Sequence, residues 1–432
     1  MPRSQPIAFV NARVVDPESG WDGPGSVIVS DGTIADVRSE PTLDGASDVR
    51  LIDCNGAVLA PGLIDIRVKS GEPGAEHRES LASVSKAAAA GGVTSIVLQP
   101  DTDPPIDEPA MVDFVLRRAR DLELVNVHVA GAATRGLGGE RMAEIGLMEE
   151  AGAIYFTDAD RTIANSKVMR RLLSYAGAFN ALVAHRPADP WLSDGAAATE
   201  GEIAARLGLP SVPAVAERIM LERDLALVEL TGARFLVDQI STADALDSLR
   251  RARDKGLEVS ASCSINHLAF NELDIGDYRT FARLDPPLRS EADRRALVAA
   301  VAEGLVDVVT SAHTPAPSED KRRPFAEAVP GAVGLELLLP ALLSLHHEDG
   351  HALVDVLKPV TLGPAQLLGL PGGRLAAGAP ADLVLFDIDT AVIVDADRLI
   401  SRSKNSPFDG RRLQGEVLLT LVEGRIVHQA AQ

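Results

Sequence analysis

Cysteine is almost missing from this 432-residue chain, which holds only Cys54 and Cys263. Two thiols cannot form a disulfide scaffold, and their scarcity points to a reducing, cytoplasmic setting. Positive charge is also short: Lys and Arg number 42 against 62 Asp and Glu, for a formal net charge of −20. Such a chain has no electrostatic footprint for a nucleic-acid backbone or an anionic membrane surface. No apolar run approaches the roughly 20 residues that a membrane helix needs. The opening MPRSQPIAFVNARVV lacks the apolar stretch of a secretory signal. Aromatic residues are only 3% of the chain, but 46% of it is hydrophobic, so a disordered acidic chain is excluded. Histidine is scarce as well, at nine residues, and where those nine fall decides the functional reading.

What is present has a clear order. Short β-branched runs at 7–10 and 26–29, an Asp31-Gly32 turn and a further run at 33–37 read as β-structure with a tight hairpin. From Pro61 the pattern changes to short apolar strands, at 62–68, 93–99, 124–130, 152–157, 181–185, 233–238, 257–262 and 306–311. Helical stretches at 80–90, 108–120, 165–178, 214–231 and 243–255 lie between them. Strands that are apolar almost throughout fit a parallel sheet covered on both faces, and eight of them predict an α/β protein built on a (β/α)8 TIM barrel. The loop at 186–212 is expected over the barrel mouth or at an interface. Strand patterns return at 382–386 and 417–422. The expected domains are therefore a barrel over 61–369 and one β-sandwich made of 1–60 plus 370–432.

Several motifs together carry a family resemblance. Ala60-Pro61-Gly62-Leu63-Ile64-Asp65 resembles the start of the barrel in the amidohydrolase superfamily. Glu72-Pro73-Gly74 with Glu79, the run Ala87 to Thr94, Gln99 to Pro105, Ile240-Ser241-Thr242 and Pro286 to Ser290 resemble the dihydroorotases. Val333 to Glu336, Ala379 to Leu383 and Ser406-Pro407-Phe408 extend the likeness to about residues 7–428. The resemblance implies a barrel with a β-sandwich from both termini. It also implies interconversion of carbamoyl-aspartate and dihydroorotate, in which zinc activates a water and polarises the amide.

At the functional positions the sequence departs from that family. The His-x-His pair of the first barrel strand aligns with Arg67 and Lys69. The fourth strand offers Asp158 or Ala159, the fifth keeps His185, the sixth has Gln239 for histidine, and the eighth has Ala312 for the base aspartate. The family's substrate-binding arginine and two asparagines align with Gly71, Asp101 and Asp285. Arg and Lys are cations at neutral pH and do not ligate zinc in that form. Asp158 and His185 are the residual metal-ligand candidates, too few for a site, so no cofactor and no catalytic residue are expected. Arg67 and Lys69, if they point inward, should pair with Asp158, Asp101 or Asp285, because an unpaired buried cation is costly. Asp101 and Asp285 should repel a dianionic substrate.

The remaining residues that could carry chemistry read as structural. His267 and His313 lack a metal-bound hydroxide to serve. His346, His347 and His351 sit in an acidic surface stretch, Cys263 has no paired base, and a Schiff-base role for Lys69 has no supporting carbonyl chemistry. Three functions of different class follow. The leading one, implied by the resemblance, is a non-catalytic dihydroorotase-like subunit of pyrimidine biosynthesis. It would assemble with the aspartate transcarbamoylase catalytic subunit as a homo- or hetero-oligomer. The alternatives are an active cyclic-amide hydrolase with an atypical metal site, and a metal-free sensor of small carboxylates.

Overall fold

The structure is a computed structural model that describes residues 5–42 and 49–430. Eight parallel strands form the central ring: β1 (Leu63–Val68), β2 (Val93–Leu98), β3 (Asn126–Ala132), β4 (Ala153–Thr157), β5 (Val183–His185), β6 (Phe235–Val237), β7 (Val259–Ser264) and β8 (Val308–Thr310). They pair in chain order. A parallel bridge from Val68 to His313 brings β1 beside β8. Each end lies within two residues of the strand expected from the sequence.

Side chains that alternate along the strands fill the ring. Ile64, Ile66, Val97, Ala130, Tyr155, Leu182, Ala184 and Leu236 form one buried cluster. The Tyr155 hydroxyl finds partners within it, donating to Ile66 O at 2.6 Å and accepting from Gln99 Nε2 at 2.6 Å. Burial of a tyrosine is tolerable when its hydroxyl is satisfied in this way. A larger cluster, including Leu63, Val93, Ile96, Leu172, Leu249 and Leu297, lies between the strands and the outer helices.

Local sequence sets the helix starts. Ser80, Asn165, Thr242 and Ser290 each accept a first-turn backbone N–H, capping Leu81–Ala90, Ser166–Gly177, Ala243–Asp254 and Glu291–Ala302. A second sheet joins both ends of the chain. Its order is 425–429, 412–422, 383–393, 58–61, 7–16, 21–30 and 33–38, with 50–53 paired in parallel to 7–10. Among the described residues no helix is long and apolar enough to cross a membrane.

Candidate functional site

The C-terminal strand ends, where barrel active sites lie, converge on the side chain of Arg67. It leaves β1 and is 3% exposed. Its Nε donates to Asp238 Oδ2 at 2.7 Å, and its Nη2 donates to Asp160 Oδ1 at 2.7 Å. Lys69, one turn of the pleat further on, pairs with Asp160 and lies 2.6 Å from Asp101 Oδ2. Burial works against both cations, but the carboxylates more than offset it and hold the two groups charged. Burial likewise works against the Asp160 carboxylate, yet Lys69, Arg67 and Arg186 pull its pKa well below the usual range. Arg186, which directly follows β5, has Nη1 2.5 Å from Asp285 Oδ1.

These contacts correct the expected pairing. Inward-pointing cations and the Asp101 partner are found, but Asp158 and Asp285 touch neither Arg67 nor Lys69. Asp158 instead accepts from Thr134 N at 2.8 Å and from the Thr134 hydroxyl. Burial raises its pKa, and the Thr134 bonds counter that only in part. Asp101 and Asp285 each have a cation beside them, Lys69 and Arg186, although Lys69 is shared with Asp160. Asp160, Asp238 and Arg186 were not singled out in the sequence. The available signals were a second aspartate two residues after Asp158, a carboxylate ending the apolar run of β6, and an arginine next to His185.

His185 is also committed elsewhere. Its Nδ1 lies 2.7 Å from Asp224 Oδ2, and its Nε2 accepts from Ile163 N at 2.9 Å. That is a neutral ring protonated at Nδ1, with no lone pair left for a metal. Gln239 donates to Thr310 Oγ1 at 3.0 Å. Ala159, Gln239 and Ala312 each stand two residues beyond the ends of β4, β6 and β8, and each is left-handed, with φ of 54°, 61° and 51°. This shared geometry makes Ala159, not Asp158, the fourth-strand counterpart of the other two positions. A left-handed non-glycine residue costs about 1 kcal/mol, so three strand ends keep a strained backbone without a metal-binding side chain on it. Gly71 has a tighter constraint: a Cβ there would meet Ala75 O at 1.9 Å. The loop is closed so tightly that no arginine fits.

A catalytic zinc needs three protein ligands and an open position. Among the described residues no group of three or more His, Cys, Asp or Glu could hold a metal ion. Arg67 and Lys69 engage the nearest carboxylates, so the residues present do not fit zinc. The cavity that remains beside Arg67, Gln239, Asn266 and Ala312 measures about 20 Å³, room for about one water. His267 lines it and stays neutral, its pKa pushed down to about 4 by burial. His313 is fully buried, accepts from Gly334 N at 3.3 Å and has Nε2 3.7 Å from Glu79 Oε2. Burial raises the Cys263 thiol above its usual pKa, which keeps it protonated.

The closed ring, the terminal sheet and the strand-end site define an amidohydrolase-type scaffold. Residues 56–245 match the Dihydro-orotase-like family, and residues 345–428 match the Amidohydrolase family. The dihydroorotase of Anaplasma phagocytophilum is 38% identical over 428 residues, covering 98% of this chain and 95% of that protein. That of Anaeromyxobacter dehalogenans is 39% identical over 426 residues, covering 98% of each. The L-hydantoinase (dihydropyrimidinase) of Arthrobacter aurescens has a similar structure, with a TM-score of 0.87, 25% identity and coverage of 99% of this chain and 96% of that one. The chain belongs to the dihydroorotase family.

Proposed function

We propose that this chain is a non-catalytic member of its family that serves pyrimidine biosynthesis as an assembly subunit, partnered with the aspartate transcarbamoylase catalytic subunit. One observation carries the reading. Arg67 fills the centre of the barrel mouth and binds Asp238 and Asp160 there. A guanidinium so placed supplies positive charge but neither a Lewis acid nor an activated water, and Ala312 offers no proton acceptor. Motifs that resemble the family's persist beside this mouth, at Ile240-Ser241-Thr242 and Pro286 to Ser290. That combination suits a fold kept for its surface, and the family resemblance suggests the partner. Size-exclusion of this protein mixed with the same organism's transcarbamoylase catalytic subunit should give one co-eluting peak. Separate elution at micromolar concentrations would remove the assembly role.

A second reading is an active cyclic-amide hydrolase with an atypical site. It is supported by relatives called dihydroorotases and by the likeness to an L-hydantoinase. It requires the Arg67 cluster to open around a metal and predicts zinc in the purified protein, with turnover of dihydroorotate or a hydantoin.

A further inference from the structure

Strands 383–393 and 412–422 of the terminal sheet are joined by a connection that leaves the sheet and reaches the loops at the C-terminal end of the barrel. Connections normally run over the surface, where water satisfies their polar groups. In this one Ser401, Ser403, Asn405 and Ser406 are all buried. Their partners lie on the mouth loops. After β1, Glu79 accepts from the Ser401 hydroxyl and from Arg402 N at 3.1 Å, and Arg78 O accepts from Ser403 Oγ at 2.8 Å. After β8, Asn405 Nδ2 donates to Thr314 O and Gly331 O, both at 3.0 Å, and Asn405 Oδ1 accepts from Ala316 N at 3.1 Å. Asn405 O accepts from Val333 N at 3.1 Å. Glu336 accepts from Ile400 N at 2.8 Å and from Ser401 N at 2.9 Å. Beyond them Phe408 packs on Phe270, with ring centroids 4.6 Å apart.

Between residues 400 and 406 every buried side chain is polar, so hydrogen bonds hold this stretch in place. A buried donor or acceptor that loses its partner costs more than the bond itself contributes. Letting go of one tie while the others hold is therefore expensive, and the ties favour opening together. They also reach the walls of the mouth. Thr314 and Gly331 line the cavity beside Arg67. His313 O, one residue before Thr314, accepts from Lys69 N at 2.9 Å. We propose that residues 400–406 form a strap that opens as one unit, and that its release is the step that opens the barrel mouth. A segment of the terminal domain then sets access to the barrel. The inference concerns access alone and does not depend on what the mouth binds.

The test is amide hydrogen exchange on the full chain. Ile400, Ser401 and Arg402 report one end of the strap, Ala316 and Val333 the other, and Lys69 the mouth, since each of these N–H groups is hydrogen-bonded. Ser401→Ala removes one hydroxyl at the Glu79 end. Exchange at Ala316, Val333 and Lys69 should nonetheless rise about tenfold, the effect of one lost buried partner. Asn405→Ala should raise it at Ile400, Ser401 and Arg402 by a similar factor. Val384 and Thr420, paired within the terminal sheet, should stay unchanged in both variants. In the wild type at low urea, all six reporters should share one opening equilibrium, a readout that needs no variant. Faster exchange only at the end that carries the substitution would mean that the strap frays piece by piece, and would overturn the proposal. An unmoved Lys69 would show that the mouth does not follow the strap, and would overturn it too. Unequal opening equilibria in the wild type would do the same even where a variant lost its whole fold.

Discussion

Two ion clusters lie around the end of β6, one through Asp238 and the other through Ser241 and Thr242, and the family resemblance reads them differently. One joins Arg67 and Lys69 to Asp160, Asp238 and Asp101 at the barrel mouth. The other joins Arg289 to Glu217, which lies on helix Val215–Thr231. Glu217 also accepts from Ser241 N at 2.9 Å, Thr242 N at 3.0 Å and both hydroxyls of that pair. Arg289 adds bonds to Ser241 Oγ and Thr199 Oγ1. In the Glu217 cluster the residues of two family motifs, Ile240-Ser241-Thr242 and Pro286 to Ser290, hold loops to the barrel. At the mouth stand Arg67 and Lys69, where the sequence resemblance implies a histidine pair. The physics is the same in both: a charge taken from water must find a partner and hydrogen bonds. In these two clusters the residues of the matched motifs hold loops, whereas Arg67 and Lys69, which the resemblance sets against the family's histidines, face the cavity.

If both clusters obey one rule, breaking either should be expensive. Glu217→Ala should have the larger effect, about 4 kcal/mol, because it strands Arg289 and four further donors. The loss would appear in urea unfolding monitored by circular dichroism. Asp238→Ala should cost about 3 kcal/mol by leaving the Arg67 guanidinium with only the half-exposed Asp160. Replacing both partners sharpens the comparison. An Arg67→Met, Asp238→Leu double variant should lose less stability than Asp238→Ala alone, since apolar groups of similar size remove the need for pairing. A double variant worse than the single one would mean that the mouth cluster does more than balance charge.

A buried carboxylate without a cation supplies the contrast. Asp382 accepts from Asn126 Nδ2 at 2.8 Å and Glu423 N at 2.7 Å, where the terminal sheet meets the lower end of the barrel. Burial raises its pKa from 3.8 to about 6, the reverse of Asp160. The sign follows directly: the folded state favours the protonated acid, so the penalty is absent below about pH 4 and full above about pH 6. Lowering the pH from 7 to 5 should therefore return about 1 kcal/mol from this group. The stability difference between wild type and Asp382→Asn, measured at the two pH values, should change by that amount. An invariant difference would show that the buried group does not titrate in this range.

The barrel was legible because its strands are apolar almost throughout and its helices carry polar caps. The terminal sheet was legible in its β-branched runs, including the largely exposed strand 33–38, and less so where strands carry few apolar residues. In strand 383–393 the first four residues are buried and were anticipated, whereas the rest are largely open to solvent and carry no apolar signal. Strand 21–30 carries Gly23-Pro24-Gly25 in its first half, poor strand formers that hid it. Gly25 has a packing reason, because a Cβ there would meet Arg38 O at 2.5 Å. At the mouth, the resemblance pointed to Arg67, Lys69, Gln239 and Ala312 but not to Asp160 and Asp238, which pair with Arg67. Asp160 and Asp238 lie one residue from Ala159 and Gln239, and a register step of one residue decides which way a side chain points.

The ion cluster at the mouth, with no group of three metal-ligating side chains among the described residues, predicts a protein without a catalytic zinc. Zinc analysis of the purified protein, with a dihydroorotate hydrolysis assay on the same sample, tests it most directly. Less than about 0.1 equivalent of zinc per chain is expected after incubation with the metal at neutral pH, with no turnover above background. About one equivalent of bound zinc with dihydroorotate hydrolysis would contradict it.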